Sequence, residues 1–123
     1  MRAKDVLGRR GEELAAGYLE SLGMRVVDRN WRCAEGEIDI VAWDGPVLAF
    51  VEVKTRRSIA AWSVPAEAVD YRKRRQLLVL AQAYASREGL HEAPWRFDVV
   101  EVSGPPGAQR LRLMKNAFDA NDV

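Results

Sequence analysis

The strongest constraint on the fold is the segment from Val47 to Lys54, because its two alternating faces are both largely apolar. In an extended strand, one wholly apolar face is formed by Val47, Ala49, Val51 and Val53. The other face starts apolar and ends in charges, in the order Leu48, Phe50, Glu52 and Lys54. Such a strand is expected to be largely buried. A charge on a buried element is costly unless it is paired or bound to a metal, so Glu52 and Lys54 mark a candidate site.

The pattern along the chain predicts two helices and five strands in the order α β β β α β β. An apolar stripe with three- and four-residue spacing predicts a first helix that ends at Gly23. The remaining predicted elements are strands over 25–30, 36–43 and 47–55, a helix over 70–87, and strands over 96–102 and 110–114. This order predicts an α/β fold with a central mixed β-sheet flanked by helices. The length of 123 residues predicts one domain over 1–123.

Composition limits the kinds of site and partner. A net charge of +1 gives no overall attraction to a polyanion, so nucleic-acid binding must rest on local clusters. With one cysteine and one histidine, any metal must be held by carboxylates. The first ten residues lack the apolar core of a signal peptide, and no apolar run approaches the ~20 residues of a membrane span. A cytoplasmic protein without membrane association is expected.

The turn signal Asp44-Gly45-Pro46 predicts a hairpin that brings acidic residues together. Two registers are open: one sets residue 39 opposite 50, and the other sets residue 39 opposite 52. Both are expected to place Asp39, Glu52 and Lys54 on one face, within reach of one divalent cation. On the first hairpin strand, the other face is expected to carry Ile38, Ile40 and Ala42. Repulsion between the carboxylates would be reversed by Mg²⁺ or Mn²⁺.

The two helices add further charges to this picture. Helical periodicity places Glu12 at the border of the core and Glu13 toward water. On the second helix, Lys73 falls on the core stripe. Its basic neighbours Arg72, Arg74 and Arg75 lie near a helix N-terminus, where the macrodipole disfavours cations, so an anion is expected to offset them.

Five short motifs occur in a fixed order along the chain: Gly11-Glu12, GEIDIV from Gly36, FVEVKTR from Phe50, RFDVV from Arg96 and NAF from Asn116. In this order they resemble the uncharacterised bacterial YraN-like family. That family is similar to restriction-endonuclease-like (PD-(D/E)XK) nucleases and to archaeal Holliday junction resolvases, whose signature is an acidic residue followed by E-x-K on the next strand. The resemblance extends from about Gly8 to Phe118. It implies a restriction-endonuclease-like fold.

The resemblance also implies roles for the matching residues. Asp39 and Glu52 resemble the metal-binding acids, Lys54 the lysine of E-x-K, and Glu12 the helical acid of the resolvase-like branch. Glu12 would either bind a second ion or hold a water of the first. A set of basic residues is expected to contact nucleic-acid phosphates: Arg56, Arg57, Arg72, Lys73, Arg74 and Arg75.

The implied function is a Mg²⁺- or Mn²⁺-dependent endonuclease that hydrolyses phosphodiester bonds in DNA, with branched or structured DNA as one candidate substrate. Resolvase-like relatives act as dimers, so a homodimer is expected by analogy.

Simpler interpretations remain open for each signal. Glu52 and Lys54 are also consistent with an ordinary ion pair at a sheet end, and the arginines with a solvated helix face. Lys73 is consistent with a lysine whose stem packs on the core while its ammonium reaches water. No run of aromatic residues interleaved with basic ones indicates base stacking. The second functional class is therefore a non-enzymatic nucleic-acid-binding or protein-interaction module that keeps the nuclease fold.

Overall fold

A computed structural model of the chain describes residues 3–56 and 69–119, with side chains described from residue 9 onward in the first segment. The elements in chain order are α1 (Ala3–Ser21), β1 (Arg25–Cys33), β2 (Gly36–Asp44), β3 (Val47–Arg56), α2 (Tyr71–Glu88), β4 (Trp95–Ser103) and β5 (Arg110–Phe118). The predicted α/β class and element order are confirmed. Among the described residues, no helix combines the length and apolarity needed to span a bilayer.

Two strands run further than the sequence pattern indicated. β1 continues past Asn30 to Cys33, and β5 continues past Asn116 to Phe118. Both asparagines have a positive φ, 53° at Asn30 and 52° at Asn116. Asparagine tolerates this left-handed conformation, which bends a strand locally. A residue typical of turns therefore lies inside each strand.

The sheet is mixed, and its spatial order follows the chain order from β1 to β5. Neighbouring strands are antiparallel except β3 and β4, which are parallel. A parallel pair needs a crossover connection, and α2 lies in the chain between these two strands. The side chain of Asp70 caps α2 by accepting a hydrogen bond of 2.9 Å from the backbone N–H of Lys73. This carboxylate offsets part of the positive charge at the helix start.

Among the described elements, one helix covers each face of the sheet, which explains why β3 is apolar on both sides. The α1-side core joins Ala15, Ala16 and Leu19 of α1 to sheet residues that include Ala49 and Val51. The α2-side core joins α2 residues to sheet residues that include Leu48 and Phe50. The predicted sandwich of helices around a mixed sheet is confirmed. The alternation assigned to Leu48, Ala49, Phe50 and Val51 is confirmed as well.

The alternation of β2 breaks at Asp39. Ile38 belongs to the α2-side core, whereas Ile40 belongs to the α1-side core together with Ala42. The prediction that these three residues share a face is wrong at Ile38. The neighbouring strand β1 is irregular in the same region: its register with β2 shifts between Val26 and Asp28, and Asn30 has a positive φ. Strict alternation assumes regular extended strands, and bulges and left-handed residues depart from that geometry.

Candidate metal centre

The hairpin of β2 and β3 ends its backbone pairing where the acidic residues begin. The two-residue turn Gly45–Pro46 sets Asp44 opposite Val47, and the paired register ends at Ile40 opposite Val51. Extending this register sets Asp39 opposite Glu52, which is the second of the two predicted registers. Beyond the last pair, the backbone N–H of Val53 donates a hydrogen bond of 2.9 Å to Oδ2 of Asp39. A carboxylate thus takes the place of a backbone acceptor.

Three carboxylates meet at this point. One oxygen from each of Glu12, Glu37 and Asp39 lies within 4.8 Å of the other two. Glu12 comes from α1, whereas Glu37 and Asp39 come from β2. All three residues are partly buried. The structure therefore brings together the predicted Glu12 and Asp39 and adds Glu37, which the sequence analysis did not include among the site residues. Its two-residue spacing from Asp39 was the signal that would have found it.

Close packing of α1 on β3 sets the position of Glu12. Gly11 lies so near Thr55 that a Cβ at position 11 would collide with Oγ1 of the threonine. A glycine therefore lets the helix backbone approach the strand. The following residue, Glu12, then projects toward the acidic end of β2, where the Asn30 side chain donates a hydrogen bond to it.

Glu52 lies beside this cluster, and α2 supplies a cation for it. The Nζ of Lys73 is 3.8 Å from Oε2 of Glu52, an ion pair longer than a hydrogen bond. Within the described part of the chain, this buried Oε2 accepts no hydrogen bond. Burial is the largest cause that raises the pKa of Glu52, to about 7, and the negative charges of Asp39, Glu12 and Glu37 add to it. Lys73 opposes the rise.

The pKa values of the neighbouring Asp39 and Glu12 carboxyls are raised for the same reasons. Burial raises the pKa of Asp39 above its ordinary value, with a further contribution from Glu37, against the lowering effect of the Val53 N–H. Burial also raises the pKa of Glu12, and Asp39 and Glu37 add to that rise. Buried carboxyls that repel one another are stabilised in the charged form by a cation among them. Carboxylate oxygens are the ligands that Mg²⁺ and Mn²⁺ prefer, so this donor set fits such an ion.

The other predicted site residues contact different parts of the fold. Lys54 is half-buried on β3, in register with the buried Glu101 of β4. Lys73, predicted as a nucleic-acid contact, instead reaches Glu52. Arg56 is half-buried, and its backbone carbonyl accepts a hydrogen bond of 3.0 Å from Gly104 N–H. Arg57 lies outside the described residues.

The arginines of α2 divide into two groups. Arg74 is half-buried: its Nε donates to the carbonyl of Val69 at 2.7 Å, and its guanidinium lies 5.7 Å from the centroid of the Phe118 ring. These contacts hold the helix start against the end of β5. Arg72 and Arg75 are exposed. The exposed pair is therefore better placed than Arg74 to contact a polyanion.

Comparison with known proteins identifies the family of the chain. Residues 11–102 match the uncharacterised protein family UPF0102. The chain belongs to this family. A UPF0102 protein of Arthrobacter sp. (strain FB24) is 58% identical over 116 residues, covering 91% of this chain and 98% of that protein. A UPF0102 protein of Geobacter sulfurreducens is 50% identical over 115 residues, covering 93% of this chain and 89% of that protein.

The UPF0102 chain also resembles a solved structure at low sequence identity. Archaeoglobus fulgidus Hjc, a Holliday junction resolvase, matches with a TM-score of 0.47 and 19% identity, covering 87% of this chain and 75% of that chain. The predicted membership of the YraN-like family is confirmed by the UPF0102 match.

Proposed function

We propose that this UPF0102 protein is a metal-dependent nuclease that hydrolyses phosphodiester bonds in DNA. One observation carries the proposal: three carboxylates within 4.8 Å of one another lie beside the partly buried Glu52, whose Oε2 accepts no hydrogen bond within the described residues. A scaffold with a purely structural role gains nothing from bringing four partly buried, mutually repelling acids together. A site for a divalent cation accounts for all of them.

The proposed ligands of Mg²⁺ or Mn²⁺ are Asp39, Glu52, Glu12 and Glu37. When bound, the ion polarises a phosphoryl oxygen and lowers the pKa of water. Val53 N–H holds the Asp39 carboxylate in place, which reduces the freedom lost on binding. Asn30 restrains Glu12 in the same way.

Two lysines have separate proposed roles. Lys73 balances the charge of Glu52 before the cation binds, because its ammonium lies 3.8 Å from the carboxylate. Lys54 orients the attacking water or stabilises the charge that develops on the phosphate in the transition state, as the E-x-K pattern implies. Arg72 and Arg75 contact backbone phosphates without reading sequence.

Further features belong to the same proposal. One domain over residues 1–123 acts in the cytoplasm, as a homodimer, on branched or structured DNA. Dimerisation is a separate expectation, checked by analytical ultracentrifugation of the full chain.

The experiment incubates the purified chain with branched, single-stranded and duplex DNA in Mg²⁺, Mn²⁺ or EDTA. Glu52→Gln is compared with Glu13→Gln, which alters an exposed carboxylate of α1. We expect cleavage that requires the cation, persists in Glu13→Gln and is lost in Glu52→Gln. DNA binding without cleavage of any substrate would overturn the proposal and favour a non-enzymatic binding module.

A further inference from the structure

We propose that the exposed face of α2 binds an unpaired base of the DNA, with Tyr71 as the stacking platform. This inference rests on the proposed function and specifies its substrate: DNA with unpaired nucleotides next to the cleaved bond, in preference to continuous duplex. Along the sequence, no run of aromatic residues interleaved with basic ones indicates base stacking. The structure provides that combination through helical spacing, because Tyr71 and Arg75 are four residues apart and share one face.

Tyr71 has the exposure that a stacking platform needs. It is 57% exposed, the highest value among the large hydrophobic side chains that lie exposed in the described residues. The guanidinium carbon of Arg75 lies 5.9 Å from the centroid of its ring, within the range of a cation–π contact. The arginine holds the ring in place while more than half of the residue stays accessible. An ordered ring loses little entropy when a base stacks on it.

The platform is part of a groove rather than an isolated side chain. The groove has a volume of about 400 Å³ and is lined by Tyr71, Arg72, Arg75, Gln76 and Val79. Val79 is 45% exposed and extends the apolar floor along the helix. Two arginines and an amide form the polar part of the groove, and none of its lining residues in the described part of the chain is acidic. This combination of an aromatic face with fixed positive charge matches a nucleotide, which offers a flat base and an anionic phosphate.

The groove lies on the same helix whose first turn reaches the acidic site through Lys73. Gln76 lines the groove, and its Nε2 donates a hydrogen bond of 3.0 Å to the carbonyl of Glu35, two residues before Glu37. Lys73, one helical turn before Gln76, reaches Glu52. In the proposed complex, a phosphate lies at the carboxylates and a neighbouring base stacks on Tyr71. Duplex DNA keeps its bases stacked inside the helix and cannot offer one without unpairing.

The test measures binding of the full chain to two fluorescent DNAs, a continuous duplex and the same duplex with a short single-stranded gap. Anisotropy is recorded in EDTA, so the result does not depend on whether the protein cleaves DNA. We expect the wild type to prefer the gapped DNA and Tyr71→Ala to bind it about tenfold more weakly, as for the loss of one stacked base. Tyr71→Phe retains the ring and should bind as the wild type does.

A second measurement reports stacking directly. 2-Aminopurine in the gap should be quenched by the wild type and by Tyr71→Phe but not by Tyr71→Ala. Leu22→Ala, which removes an exposed apolar side chain of α1, is the matched control and should change neither measurement. An unchanged preference for gapped DNA in Tyr71→Ala, or equal quenching by all variants, would overturn the inference. Absence of cleavage with stacking intact would instead overturn only the proposed nuclease activity.

Discussion

The backbone N–H of Val53 donates a hydrogen bond of 2.9 Å to the side chain of Asp39, at the point where the pairing of β2 and β3 ends. The last paired residues are Ile40 and Val51, and both strands continue beyond them. A carboxylate at this position accepts a hydrogen bond from a backbone N–H, and its remaining lone pairs can bind a cation. Hairpin geometry and metal binding are therefore coupled at one residue.

This coupling predicts different effects for two substitutions at Asp39. Asp39→Asn keeps an oxygen that can accept the Val53 N–H, so the stability of the metal-free protein should change little. It removes the charge, so Mg²⁺ or Mn²⁺ should no longer raise the melting temperature. Asp39→Ala should in addition lower the free energy of unfolding by about 1–3 kcal/mol, because the N–H loses its acceptor. Thermal melts with and without cation measure both effects. An unchanged cation response in Asp39→Asn would remove Asp39 from the site.

The raised pKa of Glu52 predicts a pH dependence of stability in the metal-free protein. The folded state holds this proton up to about pH 7, whereas a carboxyl of ordinary pKa, 4.5, releases it earlier. The folded state therefore binds more protons between these values. The resulting stability is fully present below pH 4.5 and is lost as the pH rises through 7, by an amount of about 3 kcal/mol.

Glu52→Gln should remove this dependence, and at pH 8 the metal-free variant should be as stable as the wild type or more stable. Urea melts across the pH range measure the effect. The affinity of the wild type for the cation should increase as the pH rises from 4.5 through 7, since the ion needs the charged carboxylate. If Glu52→Gln destabilises the protein and still binds Mn²⁺, Glu52 serves only as the ion-pair partner of Lys73.

Lys54 and Glu52 are expected to respond differently to substitution. Lys54→Ala should leave Mn²⁺ affinity nearly intact but slow DNA cleavage. One contact made only in the transition state typically accounts for about 3–4 kcal/mol. Mn²⁺ titration and single-turnover cleavage of the same variant separate the two properties. Equal losses of Mn²⁺ binding and cleavage would instead show that Lys54 maintains the structure of the metal site.

Glu37 is predicted to be a metal ligand that the sequence analysis missed. Glu37→Gln should weaken Mn²⁺ binding by about tenfold, which corresponds to a loss of ~1.4 kcal/mol of binding free energy. Glu35→Gln is the matched control, because Glu35 precedes the strand and is exposed. Isothermal titration with Mn²⁺ compares the two variants. Equal affinities would show that the ion is held without Glu37.

The close approach of α1 to β3 predicts opposite effects for two glycines of one helix. Gly11→Ala would collide with Thr55, so it should destabilise the protein by about 1–3 kcal/mol and displace Glu12. At Gly17 an added Cβ meets nothing within 4 Å, so Gly17→Ala should stabilise by about 0.5–1 kcal/mol. Chemical denaturation gives both values. A neutral Gly11→Ala would mean that the helix is not held against Thr55.

The arginines of α2 are predicted to differ in their effect on DNA affinity. Arg72→Ala with Arg75→Ala should weaken binding similarly for all sequences and reduce the slope of log affinity against log salt by about 1 for each arginine. Arg74→Ala should leave that slope unchanged and lower the melting temperature, because Arg74 is bonded to Val69 and packed on Phe118. Equal slopes for the double variant and the wild type would place the DNA elsewhere.

Local sequence pattern determined the architecture. Apolar periodicity and the turn signal Asp44-Gly45-Pro46 act over a few neighbouring residues, so the order of elements can be deduced from them. Because both faces of β3 are apolar, both must be shielded from water, and α1 and α2 each pack on one of them. The acidic character of the site could also be predicted from the sequence, because Glu12, Asp39 and Glu52 carry charge at the border of apolar faces.

Only the tertiary structure decided which acids share an ion and which cation faces them. Ile38 and Ile40 lie in opposite cores, although two-residue alternation assigns them to one face. Packing of α1 on the sheet brings Glu12 to Glu37 and Asp39 of β2. Lys73 reaches Glu52 from an element that the chain reaches only after β3 ends. These outcomes depend on the packing of segments that are distant in the chain, which local periodicity does not encode.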